Sequence, residues 1–207
     1  MSLLDALAKL QTLQPGGFQT SDAAACLRVS GKTASKILSR LSASKSVIRL
    51  ARGRWALPDR VERLAIPEQL TAPWPSYVSL QTALFYHGFI TQIPAVTYAV
   101  SLSRPRLFRN VLGTYSIHQI KSDFFFGYDT IGKAGIKMAT PEKALLDVIY
   151  LSPARSNLFR KLPEVELPAK FRVSIARQMI RRIQSKQRRG LVEKRFEELI
   201  RRVRNPR

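Results

Sequence analysis

The chain has 207 residues, 45% of them hydrophobic, with 35 Lys and Arg against 14 Asp and Glu, a formal net charge of +21. This length and apolar content suit one or two domains with a real core and exclude a disordered chain. One cysteine and two histidines exclude an internal disulfide and argue against any metal site. With no apolar run near membrane-span length and no secretory leader expected, the chain reads as a soluble cytoplasmic protein with a polyanionic partner.

The charge is unevenly spread. Residues 1–58 carry nine cations and two carboxylates, net +7, and residues 158–207 carry sixteen and five, net +11. Residues 59–73 are net −1 and residues 74–157 net +4. Two separated basic blocks suit two contacts with a phosphate backbone. The segment 59–75 holds Pro67, Pro73 and Pro75 and is expected to be a linker without a regular element. It divides an N-terminal domain, 1–58, from a C-terminal domain, 76–207, whose basic helical tail starts at about 158. The overall class is α+β.

Leu3, Leu4, Leu7, Leu10 and Leu13 predict an amphipathic helix from Ser2 to Leu13, stopped by Pro15-Gly16-Gly17. Thr20-Ser21-Asp22 starts a second helix with a hydroxyl cap, and Cys26 within it reads as a small buried residue. After the turn Arg28-Val29-Ser30, Ser30 caps a third helix from Gly31 to about Leu41. Ala34, Ile37, Leu38 and Leu41 share one side of it. Lys32, Lys36 and Ser39 lie opposite, with Ser35 and Arg40 flanking and Thr33 beside them. Such side chains read base edges and hold phosphates. Val47–Ala51 and Trp55–Leu57 then form a hairpin about Arg52-Gly53-Arg54.

A helix, a three-residue turn, a basic-faced helix and a hairpin together predict a winged helix-turn-helix that binds duplex DNA. A merely solvated helix face is the bland alternative, and the short turn, the hairpin and the composition weigh against it. The candidate DNA contacts here are Thr20, Ser21, Lys32, Thr33, Ser35, Lys36, Ser39, Arg40, Arg52 and Arg54.

In the second domain, Ser79 caps a helix from Leu80 to His87, and His87 suits the negative helix end. Ala95–Leu102, Tyr115–Ile120, Phe124–Phe126 and Ile136–Ala139 read as strands, and Ser103–Arg109 as a basic loop. Thr140-Pro141-Glu142 opens an apolar helix in which Asp147 pairs with Lys143. Two tail helices dock by apolar stripes and turn Arg177, Arg181, Arg182, Lys186, Arg188 and Arg189 outward, as further candidate DNA contacts.

Enzymatic chemistry finds little footing. Gly127-Tyr128-Asp129-Thr130-Ile131-Gly132-Lys133-Ala134 nearly matches a phosphate-binding loop. It lacks the hydroxyl after the Lys, and a strand-like run rather than a helix follows. Few carboxylates are available to hold a catalytic metal. No catalytic residue, metal or cofactor is expected.

Tyr77-Val78-Ser79-Leu80-Gln81-Thr82-Ala83-Leu84-Phe85-Tyr86-His87-Gly88 resembles one signature of AbiEi-type antitoxins, and Ala139-Thr140-Pro141-Glu142-Lys143-Ala144-Leu145-Leu146-Asp147 resembles another. The end of the hairpin, Arg52 to Pro58, is also similar. The resemblance implies a winged-helix transcriptional repressor, the antitoxin half of a type IV toxin–antitoxin system. It implies repeats in its own promoter as the DNA target and a neighbouring nucleotidyltransferase-like toxin as the functional partner. Where the family pattern has a Gly between recognition helix and wing, this chain has Ser44-Lys45-Ser46. The alternatives are a regulator without a toxin partner and an RNA-binding protein.

Overall fold

A computed structural model describes residues 1–13, 16–152 and 165–204. Pro15 as a helix stop, and the first part of the basic tail before residue 165, lie outside the described residues.

The chain opens with a capping box. The Asp5 N–H donates to the Ser2 hydroxyl, and the Ser2 N–H to the Asp5 carboxylate, each at 3.1 Å. Helix α1, Leu3–Leu10, is shorter than predicted, and it buries Ala6 and Leu10 while leaving Leu4 78% exposed. A two-residue strand, β1, Phe18–Gln19, leads into α2, Thr20–Leu27. The Asp22 carboxylate accepts the Gln19 N–H at 2.8 Å, so a carboxylate rather than the predicted hydroxyl closes this start. Cys26 is half-buried rather than buried, and its thiol donates to the Lys9 carbonyl.

Arg28 takes a left-handed conformation, φ 55°, and so turns the chain within three residues into α3, Gly31–Ala43. The Ser30 hydroxyl caps α3 by accepting the Thr33 N–H. Ala34, Leu38 and Leu41 are buried, and α3 packs on α1 and α2. Strands β2, Ile48–Ala51, and β3, Arg54–Ala56, form the predicted hairpin, with Gly53 at φ 71° in its turn. Strand β1 adds to it, giving a three-stranded sheet in the order β1-β3-β2.

The proline-rich segment is not devoid of regular structure. It holds two 3-10 turns and a short helix, α4, Ile66–Thr71, with Pro67 at its start, where a missing N–H costs nothing. Ile66 and Leu70 of α4 bury against Leu50 and Ala56 of the hairpin and Tyr115 of the second sheet.

That second sheet has six strands in the order β6-β7-β5-β4-β9-β8. They are β4 Ser76–Val78, β5 Val96–Ser101, β6 Arg106–Asn110, β7 Gly113–Gln119, β8 Tyr128–Ile131 and β9 Ile136–Ala139. β5 runs parallel to β7 and β4 to β9, and the other neighbours are antiparallel.

Two predictions fail here. Arg106–Asn110 is an edge strand rather than part of a loop, since an edge tolerates alternating arginines that an interior strand would not. Phe124–Phe126 is no strand, because a 3-10 turn over Ser122–Phe124 sends the rings into packing. Phe124 stacks on Tyr150 at 4.7 Å and meets Phe126 edge-on.

Helix α5, Leu80–Tyr86, packs on α6, Pro141–Leu151, and α7, Val173–Arg181, and α8, Lys186–Arg204, also lie on α6. Covered from several sides, α6 buries every residue from Glu142 to Tyr150. The described structure is thus mixed α and β, with eight α-helices and two sheets among the described residues.

Candidate nucleic-acid interface

On α3 the buried aliphatic side fixes what faces outward. Lys32, Thr33, Ser35, Lys36, Ser39 and Arg40 are all exposed, as the helical spacing predicts. Their hydroxyls differ in availability. The Thr33 hydroxyl meets that of Ser30 at 2.9 Å, and the Ser39 hydroxyl donates back to the Ser35 carbonyl. That back-bond leaves Ser39 an acceptor toward a ligand rather than a ready donor. Lys32, Lys36 and Arg40 form no ion pair among the described residues, so this helical face presents three uncompensated cations.

At the hairpin, the residues singled out from the sequence divide. Arg52 is exposed at the turn. Arg54 is not available there, because its guanidinium donates to the Gln69 carbonyl at 2.5 Å, in the last turn of α4, and to that of Ala72, the residue that caps it. A cation suits that negative helix end, so Arg54 ties the hairpin to α4. Thr20 is likewise taken up inside, where its hydroxyl accepts the Trp55 indole N–H at 2.9 Å and lies 3.4 Å from the Gly53 carbonyl. Ser21 is exposed, with its hydroxyl 3.4 Å from the Asp22 carboxylate. Sequence reasoning missed two further exposed cations nearby, Arg28 and Arg49. The alternation of β2 signals Arg49, whose guanidinium lies 5.7 Å over the Trp55 ring.

The tail cations divide in the same way. Arg177 makes a two-pronged bond to Glu197, at 2.8 and 3.0 Å, and so joins α7 to α8. Arg182 lies 3.6 Å over the Phe126 ring. Arg188 donates to the Tyr150 carbonyl at 3.1 Å. Arg177 thus ties the two tail helices to each other, and Arg182 and Arg188 hold the tail on the body of the protein. Arg181 and Lys186 are exposed and Arg189 is half-buried.

A different cluster lies at the centre of the second unit. The Lys143 ammonium bonds to Asp147 Oδ1, both side chains being fully buried. Asp147 Oδ2 accepts from the Ser79 hydroxyl at 2.7 Å and the Tyr77 hydroxyl at 3.0 Å. The ammonium also sits 3.8 Å from the Phe124 ring centre. Burial pushes the Lys143 pKa down and the Asp147 pKa up, and the opposite charge of the partner counters both shifts. Burial, with the Asp147 charge beside it, drives Tyr77 well above its ordinary range, so it stays a donor.

Tyr77 and Ser79 come from the first resemblance signature, and Lys143 and Asp147 from the second. The signatures meet again where His87 Nε2 lies 2.7 Å from the Ala139 carbonyl. Glu142 accepts the Arg172 N–H at 2.9 Å and so anchors the start of α7. The residues of these two segments therefore build a core rather than an open site. The near match to a phosphate-binding loop falls in the β8–β9 hairpin, and strand β9 rather than a helix follows its Gly132-Lys133.

Among the described residues no group of three or more His, Cys, Asp or Glu is placed to hold a metal ion, and no helix is long and apolar enough to cross a membrane. The chain matches no protein-family model, and no curated protein matches it significantly.

Proposed function

We propose that residues 1–58 form a winged helix-turn-helix that binds duplex DNA, with α3 as recognition helix and the β2–β3 turn as wing. The observation that carries this reading is the two-sidedness of α3. Its aliphatic side is buried against α1 and α2, while Lys32, Lys36 and Arg40 stand outward without counter-charges among the described residues. A helix held at its back by two others, with cations and hydroxyls in front, is built for a major groove. Thr20 and Arg54 leave the contact set, and Arg28 and Arg49 join it.

The resemblance to AbiEi-type antitoxins extends the proposal to a cytoplasmic, non-enzymatic autorepressor and antitoxin that counters a nucleotidyltransferase-like toxin. Convergence of both signature segments on one buried network supports a shared core for the second unit. Footprinting the full chain on its own upstream region tests the DNA reading. Protection of repeats is expected, and Lys32→Ala/Lys36→Ala should weaken binding about tenfold or more and reduce the salt slope by about two. Unchanged affinity and slope would remove α3 from the interface.

A further inference from the structure

Three hollows on the surface join end to end. The first, about 1250 Å³, lies between the β2–β3 turn and strand β6, and the second, about 1240 Å³, reaches the start of α8. They share Trp74, Leu102 and Gln119 as walls. A third, about 650 Å³, shares Lys121, Tyr150 and Arg188 with the second and adds Lys194. Together they make one trough from the hairpin to α8.

Its charge is one-sided. Arg52, Arg104, Arg106 and Arg109 line the first stretch, and none of them forms an ion pair among the described residues. Lys121, Arg188 and Lys194 line the far stretch. The one carboxylate on the wall, Asp123, accepts the Gln184 N–H at 3.0 Å through one oxygen, and its other oxygen is buried.

At the junction of the first two hollows stands Trp74, 54% exposed and without a described ring partner. Its backbone is held by a bond from its N–H to the Thr71 carbonyl at 3.0 Å. An indole left half-open in a cationic trough offers a flat face on which another ring can lie. A ligand with regularly spaced phosphates and flat, unpaired rings meets both demands, since the chain follows the cations and a base lies on the indole. Bases inside a duplex are already stacked and offer no free face, so the trough selects a single strand.

We propose that this trough is a binding site for single-stranded nucleic acid, with Trp74 as its stacking platform. The site is separate from the α3 face assigned to duplex DNA and shares only Arg52 with the proposed wing. Trp55, the other tryptophan, is 3% exposed, so quenching of the protein's indole emission reports on Trp74.

The test titrates the full chain with an oligouridylate and an oligothymidylate of about 12 nucleotides, and with a duplex of the same length. Both single strands should quench the emission, and the duplex should not. Tighter binding of the ribo-oligomer would mark RNA as the ligand, and equal binding a strand of either sugar. Measured by the anisotropy of a dye-labelled oligonucleotide, since the variant lacks the reporting indole, Trp74→Ala should weaken single-strand binding about tenfold, and Arg104→Gln/Arg106→Gln/Arg109→Gln should lower its salt slope by about two. All of these positions are exposed, and an unchanged circular dichroism spectrum controls for folding.

Lys32→Ala/Lys36→Ala should leave single-strand affinity unchanged while weakening duplex binding, so the two proposals fail independently. Equal single-strand affinity for Trp74→Ala and the parent chain, or quenching by duplex alone, would overturn the trough assignment.

Discussion

Lysines stand at the centre of both halves of this protein, and their surroundings assign them opposite work. Lys36 on α3 is exposed and without an ion pair among the described residues, whereas Lys143 on α6 is fully buried against Asp147. In water a lysine keeps its charge and can offer it to a phosphate at little desolvation cost. In the core the same charge persists only because a carboxylate and an aromatic face replace the water. A basic residue therefore says little about function until its partner is known, and Arg52 and Arg54 repeat the lesson two residues apart.

The strongest way to break this comparison is Asp147→Ala. Lys143 would then lie in the core without a counter-charge, and the Tyr77 and Ser79 hydroxyls would lose their acceptor. A loss of about 3–5 kcal/mol in denaturant unfolding is expected. Lys143→Met/Asp147→Leu should lose less than Asp147→Ala alone, because it removes both charges together. A double variant that lost as much or more would mean that the ion pair itself holds the fold.

The contrast between buried and exposed groups also has a pH signature. Burial lowers the His118 pKa from 6.5 to about 4. The folded state thus prefers the neutral ring, and the stability this contributes is complete above the unfolded value. It is lost as pH falls from 6.5 toward 4, by about 2 kcal/mol once the half-open position of the ring is allowed for. His118→Gln should flatten the unfolding profile over that window. A profile that kept its full slope would place the titrating group elsewhere.

Arg52 and Arg54 sharpen the comparison at smaller scale. Arg54→Ala should cost about 1–2 kcal/mol by leaving two carbonyls at the end of α4 without their charged donor, with the salt slope of DNA binding unchanged. Arg52→Ala should leave stability unchanged and lower the slope by about one. Exchange of these two outcomes would mean that Arg54, not Arg52, reaches the DNA.

What the sequence disclosed follows how local each cause is. Helix α3 was legible because its cap, its aliphatic period and its exposed face all lie within fourteen residues. Helix α6 showed its start for the same reason, through Thr140 and Pro141. Its depth did not show, since the covering by α5, α7 and α8 comes from distant segments. Strands β1 and β4 were missed because two or three residues carry no period, and only pairing defines them. Arg54 was misplaced because its partners, the Gln69 and Ala72 carbonyls, lie at the end of a helix hidden in a proline-rich stretch. The trough escaped notice altogether, because it gathers Arg52, Trp74, Arg104 and Lys194 from parts of the chain that no spacing rule connects.

The smallest expected effect concerns the turn after α3. Lys45 adopts φ 59°, and the N–H groups of Ser46 and Val47 both donate to the Leu41 carbonyl, at 2.9 and 3.3 Å. That is a helix ending through a left-handed residue, the position where glycine is at ease and a side chain with a Cβ is strained. Lys45 thus makes a turn that glycine would make without strain. Lys45→Gly removes the strain but gives the unfolded chain more freedom, so the net gain should be under about 1 kcal/mol. Lys45→Asn, which tolerates the same conformation with less freedom to lose, should gain a similar amount. Both replacements also delete an exposed cation beside the α3 face. A salt slope lower by about one in both would add Lys45 to the DNA contacts, and an unchanged slope would leave it a residue of the turn alone. A loss of stability in both variants would show that the lysine stem, not the backbone angle, governs this turn.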